Sequence, residues 1–594
     1  MVSHEQIILF ALCFAVFVML IWGRWRYDLI AFSALMVALV AGVVPMEDAF
    51  SGFGHPATVI IALVLIVSRA LCNSGVIEWI ARYLVDGSRS LSLHIGLMSG
   101  FAAALSALMN NVAALAVLMP VDLHAAAKAK RSPALTLMPV SFASILGGMI
   151  TLIGTPPNIV ISEYRNDVLG EPFKMFDFAP VGLACAVAGV LFVTTIGWRL
   201  IPKARREQDS GRELFDIEGY ITELRVPEKS PAVGRRVREL DDQAEEHETA
   251  IVGLVRRGQR FPGLARYETI AAGDMLVVEA APVGLDKLVG ALGLEYRRAT
   301  KGKKPAVLGE DLSLTEAVVP PGARIEGRSA LSLQLLYRHG ITLLGVSRQG
   351  RRFSERVRKL TIQAGDILLF LGPNEVLPDV THWLGCLPLK ERGLQVVRRG
   401  SAGMTVGIFA TSILLASLGV LYLPVALACA AALMVVLNIV PVRQVYESVE
   451  WSVIVLLGSM IPIGSALETT GGTALIAEQL VGLTSGLSPV WVLTLLILGT
   501  MSLSDVMNNT ATAVICAPIA VNIAEQLGVN ADPFLMGVAV AASCAFLTPI
   551  GHKNNTLILG PGGYRFGDYW RMGLPLEILV VSVAVPMILW VWPL

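Results

Sequence analysis

The sequence predicts an all-α polytopic membrane protein with inverted repeats and two re-entrant hairpins, interrupted by a small α/β insert on the cytoplasmic side. Three observations carry this reading. The 594 residues are 54% hydrophobic and only 16% charged, with a mean hydropathy of +0.64, well above what a soluble domain of this length carries. The apolar runs fall into two sets separated by a charged stretch. The polar residues inside those runs recur at a nearly constant distance along the chain.

Apolar runs long enough to span a hydrocarbon core, about 17 to 25 residues, lie at 6–22, 28–44, 57–76, 134–162 and 178–198, and again at 402–418, 422–440, 452–471, 533–560 and 572–592. The first is followed by Arg24 and Arg26 without a small-residue cleavage signature, so it reads as an uncleaved helix. Two further segments, 92–121 and 488–518, are too polar at their centres to be ordinary spans. One contains "SALMNNVAALAVLMPV" from Ser106, the other "SDVMNNTATAVICAPI" from Ser504.

These segments are copies of each other. Ser106 answers Ser504 and Asn111 answers Asn509, both at a spacing of 398 residues. Thr151, Gly154 and Asn158 of "TLIGTPPN" answer Thr548, Gly551 and Asn555 of "TPIGHKNN" at 397, and Leu71 and Gly75 answer Leu467 and Gly471 at 396. Polar letters that match inside polar-poor segments mark a duplication. The first repeat is therefore 1–200, with a hairpin at 92–121 and a broken helix at 134–162. The second is 400–594, with a hairpin at 488–518 and a broken helix at 533–560.

Charge orients the repeats. If 92–121 enters and leaves by one face, Arg24, Arg26, Arg82, Arg89, Lys128, Lys130, Arg131, Arg199, Lys203, Arg205 and Arg206 share a side, which the positive-inside rule makes cytoplasmic. With 488–518 treated likewise, Arg565 and Arg571 join them. Five spans per repeat, an odd number, invert the second repeat. Inverted repeats that meet at mid-membrane through interrupted elements are the architecture of secondary transporters, which places the chain in the inner (plasma) membrane.

Residues 207–398 concentrate charge and contain no spanning run, so they form a soluble cytoplasmic insert. The insert is itself duplicated, as 207–298 and 299–390. "IVGLVRRGQRFPG" from Ile251 answers "LLGVSRQGRRFSE" from Leu343, and "AAGDMLVVEA" answers "QAGDILLFLG". Each copy reads as a "GR" helix start, two strands around an R-x-G turn, and a Gly-Asp turn into a closing strand.

Several functions are excluded by what the chain lacks. Net charge is zero and no basic tail occurs, so no nucleic-acid partner is expected. The seven cysteines show no metal spacing and read as buried thiols. No HExxH, GxSxG or matched carboxylate pair is present, so the chain is not read as an enzyme, and no TVGYG-like loop suggests a potassium filter.

Polar groups at membrane depth are tolerated only where they are buried in protein or line a cavity. Asn carbonyls, Ser hydroxyls and freed main-chain carbonyls suit a hard monovalent cation, while Asn NH2 groups and helix N-termini suit an anion. Both tips carry these groups. Gly followed by Pro in "TLIGTPPN" ends a helix at mid-depth, and repeat symmetry extends the break to "TPIGHKNN". Lys553 at such depth needs a partner, for which an anionic substrate or Asp505 is suited. His552 or Lys553 is thus a candidate to face a compact oxyanion.

On these residues the chain resembles the divalent-anion sodium symporters, which carry dicarboxylates, citrate or sulfate; the likeness covers both membrane halves. The insert resembles a pair of TrkA-C (RCK C-terminal) domains. The resemblance implies one sodium site at Ser106, Asn110, Asn111 and the main chain of Gly154, and a second at Ser504, Asn509 and the main chain of Met507 and Gly551. It implies an anion between the tips, touching Asn111, Thr155, Asn509 and Thr510. It also implies a homodimer, a hairpin-bearing domain that moves elevator-like against a scaffold, sodium as the coupling ion and no other cofactor. The family's Ser-Asn-Thr signature here reads Asn110-Asn111-Val112 and Asn508-Asn509-Thr510. Val112 removes one hydroxyl that a dicarboxylate pocket uses, which moves the expectation from dicarboxylate toward sulfate. A channel gated by the TrkA-C pair is the reading from another class. For the insert, binding a small regulator and a structural or dimer-bridging role both stay open.

Overall fold

The computed structural model describes residues 3–22, 25–74, 90–129, 131–206, 221–296, 312–389 and 402–594, leaving aside 241–242, 244–248, 257–258, 263–267, 281, 349–350, 354–356, 374–375 and 484–485. Arg24, Gly75, Arg82, Arg89 and Lys130 lie outside the described residues, as do the stretches 207–220, 297–311 and 390–401. The chain is an all-α polytopic membrane protein with a small α/β insert, as the sequence predicts. Helices dominate because a chain this apolar can satisfy its backbone N–H and C=O groups in lipid only internally. Among the described residues, Met46–Asn73, Trp451–Thr469, Asn509–Leu527 and Trp570–Val591 are long and apolar enough to cross a bilayer.

Each polar-centred segment forms two helices joined at the Asn pair. Leu91–Ser106 leads to Asn111–Lys128, and Pro489–Ser504 leads to Asn509–Leu527. Asn110 and Asn508 start the second arms, their side-chain oxygens accepting from Val112 N–H at 2.8 Å and Thr510 N–H at 3.0 Å, a standard N-cap geometry. The broken helices follow the "IG" loops. Ala134–Gly148 ends before a non-helical stretch and Pro156–Leu169 resumes; Asp532–Ser543 ends likewise and Lys553–Leu559 resumes. Ala134–Gly148 and Asp532–Ser543 are buried along their whole length and form the centre of the main core.

Packing between the two halves is reciprocal. Leu91–Ser106 lies on Ala134–Gly148, as Pro489–Ser504 lies on Asp532–Ser543. Pro156–Leu169 packs against Asn509–Leu527, and Lys553–Leu559 against Asn111–Lys128. Outside this centre, Trp451–Thr469 packs on Tyr27–Val40 and Pro56–Asn73 on Leu423–Val436. The broken helix of each half is thus seated on the hairpin of the other, which brings both tips and both breaks together.

The insert folds as two five-stranded antiparallel sheets. The first contains β1 (Ile221–Arg225), β2 (Thr249–Arg256), β3 (Gln259–Pro262), β4 (Met275–Ala280) and β5 (Glu295–Tyr296), in the order β3-β2-β4-β1-β5. The second contains β6 (Leu312–Val318), β7 (Thr342–Arg348), β8 (Arg351–Phe353), β9 (Ile367–Pro373) and β10 (Leu387–Pro388), in the equivalent order β8-β7-β9-β6-β10. Both carry a register shift at the same place, between Ile251 and Gly253 and between Leu343 and Gly345. Val255, Val277 and Leu371 join the sheets through a small apolar cluster.

The "GR" residues do not start helices. Gly234 and Gly327 turn the chain at φ +83° and +74°, their N–H groups donating to Ile270 and Ile362 carbonyls at 2.9 Å each. Backbone already held in a left-handed turn by a distant segment cannot enter a helix there, and among the described residues a 3-10 turn follows at Val237–Leu240 and a short helix at Leu335–His339. The seven cysteines are all free; Cys185, Cys386, Cys516 and Cys544 are buried, but Cys429 is exposed, so the buried-thiol reading does not extend to it.

Candidate functional site

The two tips are held by matching hydrogen bonds. The Ser106 hydroxyl donates to Asn111 Oδ1 at 2.5 Å, and Ser504 donates to Asn509 Oδ1 at 3.0 Å. Thr151 donates to the carbonyl of Ala107 at 2.6 Å, and Thr548 to the carbonyl of Asp505 at 2.5 Å. Asn158 Nδ2 then donates to Thr151 O at 2.9 Å, and Asn555 Nδ2 to Thr548 O at 3.1 Å. Each break is therefore tied to its own tip by a threonine, and folded onto itself by an asparagine. The offset seen in the sequence is reproduced bond for bond.

Close backbone approach completes each loop. A Cβ on Gly551 would stand 2.8 Å from the carbonyl oxygens of both Ser504 and Asp505, closer than real Cβ contacts allow. A Cβ on Gly154 would run into the backbone of Gly148, and one on Gly148 into the side-chain amide of Asn111. Glycine is required here by space, since none of the three has a positive φ. Tip carbonyl oxygens thus lie against the break in the second half, and the Asn111 amide lies against it in the first; hydroxyl, amide and carbonyl oxygens together make a donor set that fits a monovalent cation.

The halves meet through His552. Its ring caps the resumed helix, Nδ1 accepting from Asn554 N–H at 3.1 Å, while Nε2 stands 3.4 Å from Asn111 Nδ2 of the opposite tip. Asn554 Nδ2 reaches the Asn111 carbonyl at 3.4 Å, and Ser144 donates to that same carbonyl at 3.0 Å. Ser141 donates to Asn555 Oδ1 at 3.1 Å. Ser106, Asn111, Thr155, Ser504, Met507, Asn509, Thr510 and His552 are all buried, whereas Asn110 is only partly so. The N-termini of helices beginning at Asn111, Pro156, Asn509 and Lys553 lie in this region, and the positive ends of their dipoles favour an anion, although Pro156 and Pro157 carry no N–H and the other three are capped by Asn110, Asn508 and His552.

The side-chain partner of Lys553 is not Asp505. Its Nζ pairs with Glu450 Oε2, the residue that precedes Trp451–Thr469. One cause is visible. His552 is extended (φ −134°, ψ 136°), and successive side chains of extended backbone point to opposite sides, so with His552 directed at Asn111 its neighbour leaves the other way. Asp505 Oδ1 accepts from Leu547 N–H at 2.8 Å. In the first half, His55, which precedes Pro56–Asn73, pairs with Asp167 at 3.1 Å. Replacing Lys553 by methionine should leave Glu450 unpaired and lower stability by about 1–3 kcal/mol. Adding Glu450→Gln should restore most of the loss. Melting curves of the full chain in detergent check this, and equal melting of the parent, single and double variants would mean that the pair has no role.

Ser141, Ser144, Gly148 and Asn554 also belong to the site and were not predicted. The serines lie three residues apart in an otherwise apolar run, which places them on one helix face. Asn554 is fully buried with Oδ1 lacking a partner among the described residues, and nothing in its sequence context distinguishes it from Asn555.

A duplicated bundle with paired interrupted helices and a polar, buried centre defines a membrane transporter, and sequence comparison agrees. A family model described as CitMHS, citrate transporter, matches residues 17–514 and 491–594. The chain belongs to this family. It is 30% identical to an uncharacterized transporter of Synechocystis sp., over 94% of this chain and 93% of the relative. It is 29% identical to an uncharacterized transporter of Escherichia coli, over the whole of both. A more distant relative is sodium/sulfate cotransporter 2 of Chlamydomonas reinhardtii, 23% identical over 58% of this chain and 41% of the relative.

Proposed function

We propose that the chain is a sodium-coupled symporter of a small divalent anion, sulfate before dicarboxylate, working by elevator-like alternating access. The observation that carries this reading is the pair of hydrogen-bonded loops, each joining a Ser-Asn tip to a glycine-rich break and flanking helix N-termini from both halves. One sodium ion takes Ser106, Asn110, Asn111 and the Gly154 carbonyl; the other takes Ser504, Asn509 and the carbonyls of Met507 and Gly551. The anion lies between, against Asn111, Thr155, Asn509, Thr510 and His552, with Lys553 held back by Glu450. Because ions and anion share the Asn111 and Asn509 loops, each binds better when the other is present. The sulfate preference is supported by Val112, which offers no hydroxyl where Thr510 does, and by the sodium/sulfate cotransporter relative. In this reading the protein is a homodimer in the inner membrane, its insert is a cytoplasmic TrkA-C pair, and sodium is the only ion required.

Uptake of radiolabelled sulfate, succinate and citrate into proteoliposomes tests it. Sulfate should accumulate above equilibrium only under an inward sodium gradient. Accumulation of succinate or citrate alone reassigns the substrate, and equilibration without cation dependence sinks symport in favour of a channel.

A further inference from the structure

The two units of the insert carry the same rigid turn in different surroundings. In the first, Gly273 (φ +88°) precedes Asp274, whose carboxylate accepts from Arg256 Nε at 2.9 Å, Arg256 Nη2 at 2.7 Å and Ala271 N–H at 2.7 Å. In the second, Gly365 (φ +83°) precedes Asp366, which accepts from Arg348 Nε and Nη2 at 2.7 Å each and from Gln363 N–H at 2.8 Å. Each glycine N–H donates back to the preceding strand's exit, at Val226 (2.8 Å) and Val319 (2.7 Å). A bidentate Arg–Asp clamp inside a turn of this kind leaves little freedom.

Only the second turn is seated on the membrane helices. A Cβ on Gly273 would meet nothing within 4 Å, but one on Gly365 would lie 3.1 Å from the carbonyl oxygen of Thr556 and 3.5 Å from the Leu559 side chain. A Cβ on Gly560 would collide with the Gly365 carbonyl. Val318, Ile367 and Leu389 join the apolar core of the helical bundle, while their neighbours in the sheet form a core of their own. The turn thus rests on the last turn of Lys553–Leu559. That helix has seven residues, about 10 Å, and its opposite end carries His552 and Asn554 against Asn111.

We propose that the second insert unit controls the binding loop 552–555 through the Gly365–Gly560 contact, the short helix Lys553–Leu559 acting as the lever between them. This rests on the assignment of that loop to the ion and anion site. A unit that is pushed or released by a partner or small regulator then shifts the loop, and by thermodynamic reciprocity ions bound at the loop change the hold on the turn. At the equivalent glycine of the first unit, Gly273, no described residue stands in the place that Gly560 takes at Gly365.

Hydrogen exchange of the full chain in lipid nanodiscs, read by mass spectrometry, tests this with Gly560→Ala. Gly560 has ordinary helical φ of −69°, so alanine fits its backbone, and its Cβ meets the Gly365 carbonyl of the docked turn first and then the Ile367 side chain. Without any ligand, exchange at 363–366 and at 552–556 should rise severalfold together, while 271–274 stays unchanged. Leu559→Ala, which removes a contact without adding volume, should act in the same direction if Gly560→Ala fails to fold. In the parent protein, sodium with sulfate should slow exchange at 363–366 and leave 271–274 unaffected. Loosening of 363–366 with no change at 552–556 overturns the proposal. If both loosen together but no peptide of the parent responds to sodium, sulfate, succinate or citrate, the coupling stands and the symport reading falls.

Discussion

Asn111→Ala and Asn509→Ala are each expected to remove sodium-dependent uptake at physiological sodium. The truncation deletes one side-chain oxygen and, in the first half, strips the partner from the Ser106 hydroxyl, which is 0% exposed; Ser504 keeps a second bond, to the Ala542 carbonyl at 2.6 Å. A buried polar group left unpaired costs about 1–3 kcal/mol, roughly a tenfold to hundredfold loss in apparent sodium affinity. The two variants should differ in one respect. The Asn111 side chain also stands against His552 of the opposite half, so its loss should weaken sulfate more than the loss of Asn509 does. Sodium titrations of uptake and of thermal shift decide the matter. Unchanged sodium dependence in both variants would place the cation sites elsewhere.

Gly148→Ala should be nearly as damaging although it adds one methyl group. The new carbon meets the Asn111 amide head-on, in a helix buried throughout. Overpacking of this kind costs about 1–3 kcal/mol, and the part that yields is the amide, which is the functional group. The expected result is a loss of sodium-dependent uptake of at least about tenfold, with the chain still folded. Gly499→Ala is the matched comparison, since its Cβ meets nothing within 4 Å and alanine favours a helix; its uptake should equal that of the parent. Equal uptake in both variants would mean that the Gly148–Asn111 contact does not position the amide.

The duplication, the tips and the breaks were legible because polar letters are rare in membrane segments and each one is informative. Ser106, Asn111 and Gly154 could be read for that reason, and their copies supplied an internal check. The insert's strands were legible through Gly-Asp and R-x-G turns, although the paired turns at 257–258 and 349–350 lie outside the described residues. What could not be read is where a side chain points once two halves interlock. Lys553 is adjacent to His552 in sequence but is carried by the helix to Glu450, 103 residues away, and no local rule connects them. Ser141 and Ser144 act only because the opposite half's Asn555 and the first tip lie over their face. The docking of Gly365 was invisible for the same reason, since Gly273 has the same turn chemistry but no described residue within 4 Å of where its Cβ would be.

His55 and Glu450 precede corresponding helices, Pro56–Asn73 and Trp451–Thr469, yet they grip opposite ends of corresponding broken helices. His55 holds Asp167, in the last turn of Pro156–Leu169, whereas Glu450 holds Lys553, the first residue of Lys553–Leu559 and the counterpart of Pro156. Pro156 carries no charge where Lys553 does, so the same grip cannot occur twice. The two broken helices are fastened independently and at different ends, so loss of one pair leaves the other half's fastening in place.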